Sequence, residues 1–149
     1  MHLEGSYSLP ASPERVYSLL MDPTVLASCM PGCEQLVAVG DGIYDVKIKV
    51  VLAALGGELS GKIAIEDAVP ATSYRMRVEG IGRIGFVKGV GELRFSTEDA
   101  GATTVISYQG EVHTGGTLAA VGQRLLDTTA RMMIRRFFEK LDIVAKTAP

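Results

Sequence analysis

Between residues 43 and 52 the side chains change character at nearly every step. Tyr44, Val46, Ile48, Val50 and Leu52 are apolar, while Asp45, Lys47 and Lys49 between them are charged. A period of two places the first set on one face of a strand, toward a core, and the second set in water. The alternation recurs in Leu59, Gly61, Ile63 and Ile65 against Ser60, Lys62 and Glu66, and in Tyr74, Met76 and Val78 against Arg75, Arg77 and Glu79. "GFVKGVGELRF" and "TTVISYQGEV" predict two more strands, and Leu3, Gly5, Tyr7 and Leu9 a short one that Pro10 stops. Asp41-Gly42, Ala71-Thr72 and Ala100-Gly101 fall in connections short enough for antiparallel hairpins.

The helical signals stand at the two ends of the chain. Ser12 followed by Pro13, and Asp22 followed by Pro23, each place a side-chain oxygen before a proline at the first helical position, where its missing N–H costs nothing. Two short helices are predicted, the second ending before Pro31 and Gly32. Residues 117 to 146 contain no proline and would run ~45 Å as one helix, with Thr117 as its N-cap. At 100° per residue, Leu118, Val121, Leu125, Thr129, Met132 and Met133 share an apolar face. Arg124, Asp127, Arg131, Arg135 and Asp142 share the opposite one, and Arg136 and Lys140 interrupt the apolar face near its middle.

These elements also settle a motif. Gly80, Gly82 and Gly85 have the spacing of a dinucleotide-binding loop, but that loop needs a strand before it and a helix beginning inside it. Here a strand lies on both sides. The glycines 80, 82, 85, 89 and 91 are better read as positions that let a sheet curl. A curved antiparallel sheet of about six to seven strands around a long C-terminal helix, with two short helices near the N-terminus, is an α+β helix-grip arrangement, and such a sheet often leaves a hollow under its helix.

The chain has 149 residues, which fits one domain across 1–149. Its net charge of −2 gives no footprint for nucleic acid. No uncharged stretch approaches the ~20 apolar residues of a membrane span, and the N-terminus lacks the pattern of a secretory signal, so a cytoplasmic location is expected. Cys29 and Cys33 have neither zinc-site nor CxxC spacing, and His2 and His113 are far apart, so neither a metal nor another cofactor is expected.

"GSYSLPASPERVYSLLMDPTVLASCMPGCEQL" (5–36), "GELSGKIAIED" (57–67), "GIGRIGFVKGVGEL" and "GGTLAAVGQRLL" resemble the carbon monoxide dehydrogenase CoxG-like family of the START-like, polyketide-cyclase (SRPBCC) superfamily. The resemblance implies an apolar tunnel and a non-catalytic carrier or membrane adaptor for a molybdenum-containing dehydrogenase, handling a quinone or similar lipid. Many relatives carry a C-terminal membrane-binding extension, whereas this sequence ends at Ala148-Pro149 straight after the predicted helix. The alternative is a cyclase or aromatase-like enzyme using the same hollow, for which Tyr44, Tyr108 and Glu92 would be the polar groups.

The expected ligand-binding set is Tyr44, Val46, Ile48, Val50, Met76, Leu125, Met132, Met133, Arg136 and Lys140. The two cations either stand at the cavity mouth, where they could hold an anionic or carbonyl group, or reach to water and pair with acids. Met30, Pro31 and Gly32 form either a gate at the entrance or a rigid turn. The apolar stretch "LAALGG" (52–57), with Leu52 and Leu55, either meets lipid or a partner or continues inward. Segment 117–149 holds six cations and three acids, so weak, salt-sensitive contact with the inner face of a membrane is expected, tempered by the i,i+4 pairs Asp127–Arg131, Arg135–Glu139 and Asp142–Lys146.

Overall fold

The computed structural model describes residues 1–147; Ala148 and Pro149, on which the reading of the C-terminal end rests, lie outside them. Strand β1 (His2–Leu9) leads into two short helices, α1 (Pro13–Leu20) and α2 (Pro23–Cys29). Both begin as their sequences dictate. The Ser12 hydroxyl accepts from the Arg15 amide at 3.3 Å, and the Asp22 carboxylate accepts from the Thr24 amide at 2.9 Å. Six strands follow: β2 (Cys33–Gly40), β3 (Ile43–Leu52), β4 (Leu55–Val69), β5 (Ser73–Gly82), β6 (Gly85–Glu98) and β7 (Thr103–Gly115).

All neighbouring strands are antiparallel, in the order β1-β7-β6-β5-β4-β3-β2. Every connection from β2 to β7 is a hairpin, so the first strand closes against the last and β1 and β2 become the edges. The curl has a local cause. Gly61 faces Gly80, and Gly91 faces Gly110, across adjacent strands. A Cβ on Gly61 would run into the Glu79 carbonyl oxygen, so the two backbones approach here more closely than any side chain permits.

The C-terminal segment differs from the single helix that its sequence predicts. It divides into α3 (Thr117–Ala120) and α4 (Gln123–Thr147), separated by Val121 and Gly122, with Gly122 at φ +103°. Gly116, not Thr117, occupies the N-cap position of α3. The break resets the helical phase. The buried residues of α4 are Leu126, Phe138, Leu141 and Ala145, a stripe displaced by about one residue from the predicted one. Arg136 and Lys140 consequently face solvent, because the phase that put them inward was carried from Leu118 and Val121 across the break.

Two apolar clusters result. The larger joins α1, α2 and the C-terminal half of α4 to the sheet through Leu9, Val16, Leu20, Ile106 and Leu141, all nearly inaccessible to solvent. The smaller sits at the opposite end, where Leu52, Leu59, Ile84, Leu118 and Leu126 pack together. Ile84 belongs to the two-residue turn between β5 and β6 yet is buried, and the Leu118 amide donates to its carbonyl at 2.6 Å. The hairpin tips at this end therefore fold inward under α3.

Candidate functional site

Between the two clusters the sheet and α4 separate, leaving an apolar cavity of about 260 Å³. Its sheet wall is built by inward-facing residues of β3 to β7, among them Val46, Ile48, Val50, Leu59, Val78 and Val87. Leu126, Thr129, Ala130 and Met133 supply the helix wall. A smaller apolar hollow of about 150 Å³ adjoins it along the sheet; Val78 and Val112 line both, and Met76, Tyr108 and Ile134 line the second alone. The wall is thin at the Gly61–Gly80 pair. Lys62 and Glu79 border the cavity there, although both are exposed and Lys62 is drawn to Asp45 at 2.6 Å.

The predicted site residues distribute unevenly. Val46, Ile48, Val50 and Met133 line the main cavity, and Met76 the smaller hollow. Leu125 packs against the smaller cluster, and Met132 is half-buried and borders neither space. Tyr44 is buried in the larger cluster, its hydroxyl donating to the Met21 carbonyl at 3.5 Å, and burial raises its phenol pKa. Arg136 and Lys140 are exposed and border neither space, which corrects their placement at the cavity mouth.

The Met30–Gly32 segment is held against β3. Met30 lines the cavity, while the Lys49 amide donates to the Gly32 carbonyl at 2.8 Å and Gly32 adopts φ +75°. At the 52–57 turn, Leu52 is buried and Leu55 packs on the smaller cluster, so neither is displayed at the hairpin tip. The apolar side chains exposed near this end are instead Val51, Ile81 and Phe86. Leu59, Val78, Val87, Thr114, Leu118 and Leu126 complete the lining. Strand parity marks Val78 and Thr114 as inward, but nothing in the sequence tells an inward residue that faces a void from one that is packed.

The groups available for chemistry do not converge. Tyr108 lies on the inner face, where it stacks with Tyr7 and Phe138, and burial raises its phenol pKa. Glu92 has the opposite strand parity and pairs with Arg94. Burial also pushes the thiols of Cys29 and Cys33 up, against the pull of Lys140 on Cys29. Among the described residues no group of three or more His, Cys, Asp and Glu side chains could hold a metal ion, and no helix is long and apolar enough to cross a membrane.

The profile of the carbon monoxide dehydrogenase CoxG family matches residues 5–145, nearly the whole chain. This chain belongs to that family. A conserved protein from Geobacillus kaustophilus is 32% identical and superposes with a TM-score of 0.91, over 97% of this chain and 95% of that one. The fold is also that of the Zhui aromatase/cyclase from Streptomyces sp. R1128, at 17% identity, TM-score 0.72 and coverage of 98% and 93%. A START superfamily protein from Mycobacterium smegmatis shares it at 10% identity, TM-score 0.72 and 97% coverage of each chain. No curated protein matches the sequence. The CoxG-family chain thus has the START-like helix-grip fold, with its hollow between sheet and helix.

Proposed function

We propose that this CoxG-family protein is a non-catalytic carrier that takes an apolar ligand, of quinone or lipid type, into the cavity beneath α4. The observation that carries this reading is the cavity itself: about 260 Å³ walled almost wholly by aliphatic side chains from five strands and a helix, the setting that apolar ligands seek. Against cyclase-like chemistry stands the separation of its candidate groups, with Tyr44 in the packed core and Tyr108 and Glu92 of opposite strand parity. Organic extraction of the purified protein followed by mass spectrometry is expected to recover a bound quinone or lipid. Failure to recover one, together with no saturable uptake of a hydrophobic fluorophore, overturns the carrier reading.

The proposed client is a molybdenum-containing dehydrogenase of the carbon monoxide type, a reading supported by the family's name. Affinity capture from the native cell should recover such an enzyme; recovery of unrelated proteins alone overturns the partnership. Weak contact with the inner face of the membrane belongs to the same proposal. Its support is the end of the molecule where Val51 and Ile81 are exposed beside Arg83 and Arg124.

A further inference from the structure

Two hydroxyls interrupt the apolar lining of the cavity, and they stand on opposite walls: Thr114 on β7 and Thr129 on α4. The threonines whose hydroxyls donate within the described residues are Thr72, Thr103, Thr104 and Thr147, and these two are not among them. The contrast with Thr104 is informative. It lies on the same inward parity of β7 as Thr114, but its hydroxyl donates to the Ala11 carbonyl at 2.7 Å inside the packed core. A hydroxyl that faces apolar surroundings without a partner costs free energy, which an acceptor brought in by a ligand removes.

Full charges are directed elsewhere. Lys62 pairs with Asp45 at 2.6 Å, and the Met1 ammonium, at the cavity edge, donates to the Val112 carbonyl at 2.9 Å. Arg136 and Lys140 border neither space. A carboxylate entering this cavity would lose its hydration with no free cation to replace it.

We infer that the cavity selects an uncharged ligand bearing an acceptor oxygen of the carbonyl type, which receives a hydrogen bond from Thr114, Thr129 or both. This rests on the carrier reading and specifies the ligand class of the same site. Apolar surface then supplies the affinity, and the two hydroxyls set which end of the ligand lies between β7 and α4.

Three naphthalenes of similar shape test it: acetylnaphthalene, which carries a ketone, isopropenylnaphthalene, which replaces it by an alkene, and naphthoate, which carries a charge. Titrated against the intact chain, the ketone is expected to bind up to about tenfold more tightly than the alkene, the scale of one neutral hydrogen bond, with naphthoate the weakest. In the Thr114→Val, Thr129→Val double variant the ketone preference should vanish while alkene binding persists. Thr114→Ser, Thr129→Ser should restore the preference, which separates hydrogen bonding from packing even if the valine variant folds poorly. Equal binding of ketone and alkene by the unaltered protein, a preference that survives both valines, or naphthoate binding tightest overturns the inference and leaves the carrier reading standing. Binding of none of the three overturns both.

Discussion

Gly61 shows how much of this molecule depends on a missing side chain. Its Cβ position is occupied by the backbone of β5, and backbone cannot yield as the end of a flexible side chain can. Gly61→Ala is therefore expected to destabilise the fold by about 2–3 kcal/mol, as measured by urea unfolding; a loss within experimental error would show that β4 and β5 can part at low cost. Tyr74 makes a second prediction. It is almost wholly buried, and burial, followed by the neighbouring Tyr17 and Tyr44, pushes its phenol far above the ordinary value. A group raised in the folded state favours the fold while it is protonated, so its contribution is present below the unfolded value of about 10 and is lost as pH rises above it. Ultraviolet titration should show Tyr74 ionising only with unfolding, and Tyr74→Phe should flatten the alkaline loss of stability. Reversible ionisation of all five tyrosines in the folded protein near pH 10 would contradict this.

At the scale of elements, the decisive feature is the interruption between α3 and α4. Open space surrounds Gly122, so a Cβ there meets no neighbour, but its φ of +103° is one that other residues rarely adopt. Gly122→Ala should cost about 1–2 kcal/mol through backbone strain alone, without altering packing elsewhere. Unfolding experiments read the loss, and an unchanged stability would mean that the chain can straighten into one helix. The same break explains why the sequence misplaces Arg136 and Lys140. An apolar periodicity fixes a face only within one uninterrupted helix, and a displacement of one residue turns a predicted inward cation into a solvated one. The i,i+4 pairs are insensitive to this phase, and all three form: Asp127–Arg131 at 2.9 Å, Arg135–Glu139 at 3.5 Å and Asp142–Lys146 at 2.8 Å.

For the whole molecule the relevant asymmetry is between its ends. One is closed by α1 and α2; the other carries the hairpin tips, with Val51 66% and Ile81 70% exposed. If that end touches membrane, the intact chain should co-sediment with phosphatidylglycerol-containing vesicles at low salt and be released at high salt, since exposed cations such as Arg83 and Arg124 act through a screened field. Val51→Asp with Ile81→Asp should abolish the sedimentation while leaving the fold intact. Leu55→Asp is a poorer probe, because Leu55 packs on the smaller cluster and its loss would destabilise the protein as well. Binding that survives high salt, or that the double variant retains, would rule out this mode of attachment.

The local code determined most of the architecture. Alternation of apolar and charged residues defines the strands, Ser12-Pro13 and Asp22-Pro23 start the short helices, and the short connections impose an antiparallel meander, because each of these signals acts within a few residues of chain. The quoted motifs carried the family as well. The tertiary structure alone decided which inward residues face a cavity and which are packed: Tyr44 and Val46 share a strand face, yet only Val46 lines the hollow. It also decided that Leu52 and Ile84 fold in to close one end, and that the hydroxyls of Thr114 and Thr129 border the same space. A void is a relation among side chains on different elements, set by how closely sheet and helix approach, and no periodicity along one strand records that distance.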